Sequence, residues 1–220
     1  MNKKLKVHKD IPSELADVYD NKDRIAVDTE LHGLCLFRDQ ICLVQLCDDD
    51  GHVCLVRPRT GKTTPHLKKL MEEKRILKVF HYALSDVSFF RTSLNWKVRP
   101  FCCTKVMSKL IRTYSQSHGL KDLHKELLGV ELDKEQQQTN WSTNKLTQKQ
   151  MEYAANDVLR LLQIHDHLKR MMVSRPELPG GRSVTWLNGM AQSMLPGFVE
   201  LIVNGYGDRD GGWETSLFAH

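Results

Sequence analysis

The chain has no long hydrophobic run. No window of its 220 residues approaches the roughly 18 apolar residues of a membrane helix, so a helical membrane protein is not expected. It also has no Cys-x-x-Cys pair. The six cysteines are Cys35, Cys42, Cys47, Cys54, Cys102 and Cys103, and the last two are adjacent. That spacing argues against structural zinc. The positively charged start, Met1 to His8, is followed by no apolar stretch and does not read as a secretory signal. A cytoplasmic protein with reduced thiols is therefore expected, most of them small buried hydrophobes. There is no internal repeat and no low-complexity tract.

What is present is ordinary for a globular chain: 40% hydrophobic and 27% charged residues, enough for one domain with a short terminal extension. The net charge of +5 agrees with a polyanionic ligand without proving one. The first third reads as strands at residues 24–29, 40–47 and 52–57. Asp48-Asp49-Asp50-Gly51 forms a strong turn between the last two. Thr64-Pro65 opens a helix with Leu67, Leu70 and Met71 on one face. A strand at 76–80 and a helix at 84–92 follow. Helices are expected from Thr104, with Met107, Leu110, Ile111 and Tyr114 on one face, and over 119–128. Thr147 and Gln150 form a capping-box signature for one long helix to about Met171. Residues 176–181 break the chain before a final apolar stretch, 184–203, and a loop-like tail. Strands first, then helices around a mixed sheet, indicate an α/β or α+β fold with a single core.

Three acidic clusters stand out. Asp28 and Glu30 are two apart at the end of an apolar run, so on a strand they share a face. Two such carboxylates repel unless cations hold them; otherwise they mark a strand running into a polar loop. Tyr153 and Asp157 are four apart on a helix and are surface neighbours. A tyrosine at the core rim beside a solvated aspartate is the plainer account of that pair. Asp86, near a helix start, is favoured there by the helix dipole without any functional role. Together the clusters offer four carboxylates and a phenol to one pocket, which suits divalent metals and phosphodiester cleavage.

The combination resembles the DEDD superfamily of 3′-5′ exonucleases in its tyrosine branch. That family carries Asp-x-Glu on its first strand, a second Asp motif, and Tyr-x-x-x-Asp on a late helix. Asn140-Trp141-Ser142, Leu146-Thr147 and Tyr153-Ala154-Ala155-Asn156-Asp157-Val158 are similar to the third motif of ribonuclease D. Lys78-Val79-Phe80-His81, leading to Asp86, is similar to its second. The stretch Cys103 to Leu110, Arg112-Thr113-Tyr114, His118-Gly119-Leu120-Lys121, Gln136-Gln137-Gln138 and the closing Phe218-Ala219-His220 resemble the compact bacterial group called nano-RNase C. Two departures from the family pattern adjoin the motifs: Leu31-His32 stands where relatives more often have Thr-Leu, and Leu84 where Arg is expected.

The resemblance implies a ribonuclease H-like α/β fold, a mixed β-sheet flanked by helices. It implies an exonuclease domain over 1–175 and a helical extension with tail over 176–220, packed on that domain or used in assembly. Asp28, Glu30, Asp86 and Asp157 would bind two Mg²⁺ or Mn²⁺ ions, and Tyr153 would orient the attacking water. Substrate contacts are expected from Leu31 as an apolar wedge against bases, and from His32 and His81. Lys105, Lys109 and Arg112, spaced to share a helical face, are expected to neutralise phosphates, against the simpler account of a solvated charged face. The implied activity is a 3′-5′ exoribonuclease acting on short RNA down to dinucleotides, in a homo-oligomer that forms a ring. Ribonuclease D-type trimming of tRNA 3′ ends, a DNA exonuclease and a non-catalytic RNA-binding module are the alternatives.

Overall fold

The computed structural model describes residues 5–58, 63–132, 139–175 and 177–205. Gln136-Gln137-Gln138, Pro176 and Phe218-Ala219-His220 lie outside the described residues. Six strands form one mixed sheet: β1 (Val7–His8), β2 (Arg24–Leu31), β3 (Ile41–Cys47), β4 (Val53–Val56), β5 (Leu77–Phe80) and β6 (Phe101–Cys103), in the order β1-β4-β3-β2-β5-β6. β2 lies inside the sheet. It pairs antiparallel with β3, which continues antiparallel to β4, and parallel with β5, which continues parallel to β6. The strands are short aliphatic runs buried on both faces, as a sheet covered by helices requires.

The helices are α1 (Ser13–Asp20), α2 (Pro65–Glu72), α3 (Ala83–Ser93), α4 (Thr104–Ile111), α5 (Leu120–Leu128), α6 (Gln148–Leu159), α7 (Leu161–Val173) and α8 (Val184–Val203). The main core includes Ile25, Val27, Val44, Leu67, Met71, Phe80 and Phe90. A second layer packs Val158, Leu161 and Leu162 on Ala26, Val79 and Cys102, and a third packs Ala154 and Trp141 on Leu43 and Leu55. The Thr147 capping box forms as expected: its hydroxyl accepts from Gln150 N–H at 3.2 Å, and Gln150 Oε1 accepts from Thr147 N–H at 3.0 Å.

Two differences from the sequence reading have physical causes, and two expectations hold. The long helix expected to about Met171 is two, because Arg160, at φ −120° and ψ 7°, leaves helical geometry. α1 and the strands β1 and β6 were not expected; the strands, of two and three residues, are too short to show a period. Four of the six cysteines are buried, but Cys35 is exposed and Cys42 half-buried, and all six are free thiols. The turn at residues 48–51 is held internally. Asp48 accepts from the backbone N–H of Asp50 and His52, and Lys22 pairs with Asp48 and Asp50.

Lys78 on β5 is fully buried. Burial, against the nearby charge of Glu73, pushes its ammonium down to about 7. Its Nζ nevertheless donates to the carbonyls of Glu73, Ile76 and Arg99 at 2.6–2.7 Å. Three acceptors match the three protons of the charged form, so the carbonyl cage favours the ammonium and ties the chain before β5 to the chain before β6.

Candidate active site

β2 delivers Asp28 and Glu30 to one side of the sheet. Thr29, between them, turns the other way and donates its hydroxyl to Asp86 Oδ1 at 2.5 Å. Asp86 sits in the first turn of α3 and is buried. Helix α6 packs over β2, β3 and β4 and carries Tyr153 and Asp157 one turn apart. Carboxylate oxygens of Asp28, Glu30 and Asp157 all lie within 4.8 Å of one another. These residues, Tyr153, His81, Lys105, Lys121 and the start of α5 line a cleft of about 310 Å³.

The electrostatics are those of crowded, dehydrated acids. Burial raises the Asp28 carboxyl well above the usual range, against a backbone N–H from Thr29. Glu30 is raised by burial and then by Asp28, Asp157 and Asp86. Asp86 is raised by burial and then by Asp28, against its bond from Thr29. The Tyr153 phenol is likewise raised, by burial and then by Asp157, so it stays protonated and acts as a donor. Its ring leans on Trp141, with centroids 6.0 Å apart. All-oxygen donors that repel one another without a cation fit hard divalent metals. Asp28, Glu30 and Asp157 would hold such an ion directly, with Asp86 behind them.

The expected substrate residues divide. His81 and Lys105 line the cleft. His32 lines a neighbouring cavity of about 480 Å³ with Arg38, Arg57 and Trp141. Lys109 is exposed on α4 outside the cleft lining. Leu31 is half-buried and packs on the main core, whereas Leu34 and Phe37 in the next loop are the exposed apolar groups. Arg112 corrects the sequence reading. Helix α4 ends at Ile111, so the spacing shared with Lys105 and Lys109 runs past its end. The Arg112 side chain is fully buried and donates to Glu126, Ser108 Oγ and Ser117 O, which ties α4 to α5 rather than facing phosphate. The sequence reading also passed over Thr29. Its place between two acids on a strand, facing the opposite side, was the available signal.

Residues 7–173 match the family model described as 3′-5′ exonuclease. The chain belongs to this family. Curated relatives of this exonuclease include ribonuclease D from Haemophilus influenzae, 29% identical over 74% of this chain and 40% of that protein. Ribonuclease D from Xanthomonas oryzae is 30% identical over 84% and 49%. The chain thus spans less than half the length of these relatives. Among solved structures, Brucella melitensis NrnC with bound Mg²⁺ is similar at a TM-score of 0.84 and 33% identity, covering 99% of this chain and 100% of that one. Escherichia coli RNase D is similar at 0.72 and 26%, covering 89% and 51%. The mixed six-stranded sheet with its helices is the ribonuclease H-like exonuclease fold of the RNase D group, and it is NrnC-like.

Proposed function

We propose that the protein is a metal-dependent 3′-5′ exoribonuclease that releases nucleoside 5′-monophosphates from short RNA, down to dinucleotides. The observation that carries this reading is the convergence of Asp28, Glu30 and Asp157, backed by Asp86 and beside a protonated Tyr153, on one confined cleft. Two divalent cations, Mg²⁺ or Mn²⁺, are the proposed cofactors. When bound, such ions supply an activated water and charge stabilisation for the leaving 3′ oxygen. The chain's own contributions are distinct. The four acids set where the cations bind, Tyr153 donates a hydrogen bond that orients the water, and Lys105 and Lys121 bring positive charge to the rim. The cleft volume, at the low end for small-ligand sites, supports a short substrate. So does the likeness to Brucella melitensis NrnC over 98% of the chain, since that protein has been solved bound to pGG.

Residues 1–175 are read as the nuclease domain and 176–220 as an extension, supported by a family match that ends at residue 173. Among the described residues no helix is long and apolar enough to cross a membrane, which agrees with a cytoplasmic enzyme. A homo-oligomer is part of the reading, supported by the apolar surface of α8.

The test is a product-length assay with Mg²⁺ or Mn²⁺ on 5′-labelled RNAs, starting at the dinucleotide. A matched DNA series, a tRNA precursor and Asp157→Ala run beside it. Fast dinucleotide cleavage that falls with length, and is lost in Asp157→Ala, is expected. Trimming of the tRNA precursor that stalls at short products would replace this reading with ribonuclease D-type processing, and preference for DNA would make it a DNA exonuclease. Undiminished turnover by Asp157→Ala would remove the site assignment.

A further inference from the structure

Tyr82 follows the cleft residue His81 and flanks the start of α3, four residues before Asp86. It is held at φ 71° and ψ 45°, in the left-handed region. Glycine and asparagine adopt that conformation with little strain, but a bulky aromatic does so at a cost. The strain returns little packing, because Tyr82 is 53% exposed. A cation lies over the ring: Lys105 Nζ is 4.2 Å from its centroid.

A bracket of hydrogen bonds sets the two side chains together. Thr104 Oγ1 donates to Phe80 O at 3.1 Å and bonds His81 Nδ1 at 2.9 Å. That pins the chain just before Tyr82 to the start of α4, where Lys105 is the next residue. Lys105 and His81 line the catalytic cleft, so the Tyr82 ring adjoins two cleft residues, one in sequence and one in space. An exposed ring in strained backbone, beside acids built for phosphodiester chemistry, is therefore a surface held for something that stacks. Every nucleobase offers a π-face, and such stacking is tolerant of sequence. The cation–π contact at an exposed site is weak, so Lys105 can exchange the ring for a phosphate oxygen, to which its charge bonds more strongly.

We propose that Tyr82 is the stacking platform for a nucleobase of the substrate strand, with Lys105 taking the adjoining phosphate. The proposal rests on the nuclease reading and deepens it, since it makes recognition depend on the presence of a base rather than on its identity.

The experiment is calorimetric binding of a short RNA, and of the same RNA made abasic, to metal-free protein in the Asp157→Asn background. Tyr82 is varied to Asn, which suits the left-handed backbone but removes the ring, and to Phe, which keeps it. Tyr82→Asn is expected to bind the intact RNA about tenfold more weakly, with no loss on the abasic RNA and no drop in Tm. Tyr82→Phe should bind as the parent does. Equal losses on both RNAs, no loss on either, or no binding of either RNA by the parent overturns the proposal. Cleavage by the wild-type protein with metal, measured alongside, reports separately on the nuclease reading.

Discussion

Asp28, Glu30 and Tyr153 meet across a junction between strand and helix, and their roles separate by protonation. In the proposed function the acids act once cations stabilise their charge, whereas Tyr153 acts by keeping its proton. Removing only that hydroxyl tests the division. Tyr153→Phe should leave the fold and the metal affinity intact and lower kcat by about a hundredfold. Single-turnover rates and a metal titration check this, and a loss of metal affinity would give Tyr153 another role. These residues were legible in the sequence because the periods of strand and helix place i, i+2 and i, i+4 pairs on one side. Arg112 was misread for a related reason. A period predicts a shared face only while the helix lasts, and a cap residue one step beyond can fold inward.

Helix α8 makes the same point at the scale of an element. Its 20 residues contain one charged side chain, Glu200, yet only Val184, Leu195 and Val199 are buried. Trp186, Met190 and Met194, spaced by four, stand about half exposed along one side. An apolar stripe of this kind marks a contact surface. If the proposed assembly uses it, light scattering should find the wild type oligomeric and Met190→Glu shifted towards monomer, with its circular dichroism unchanged. A wild type that is monomeric at working concentration would sink the assembly reading. The sequence showed that residues 184–203 are apolar, but burial against this chain and cover by another copy leave the same composition. The break at Arg160 was equally hidden, since apolar residues continue on both sides of it.

Across the whole molecule, Arg24 links the start of β2 to Asp49 in the β3–β4 turn and to Asp166 on α7, and it donates to His165 Nδ1 at 3.0 Å. His165 can accept that bond only while Nδ1 is unprotonated. Burial, then Arg24 and Lys169, push its pKa down to about 4, against about 6.5 for an unfolded histidine. Between those values the unfolded chain binds more protons. The histidine's contribution is therefore whole above about pH 6.5 and fades as the pH falls to about 4, by a free energy on the order of 3 kcal/mol. The stability gap between wild type and His165→Leu should narrow across that window, and NMR should find the imidazole neutral until its lower end. A midpoint near 6.5 would contradict the buried contact. The mixed sheet was readable from its aliphatic runs, whereas this clasp joins residues 141 apart, beyond the reach of any local pattern. The inner place of β2 has a consequence for motion. β3 pairs with β2 from Ala26 to Leu31, whereas β5 pairs only with Arg24, Ile25 and Ala26, so the half of the strand that carries Asp28 and Glu30 is bonded on one edge. The amides of its first half should therefore exchange more slowly than those of the half that carries the acids, so the strand is anchored at one end and presents its chemistry at the end with a free edge.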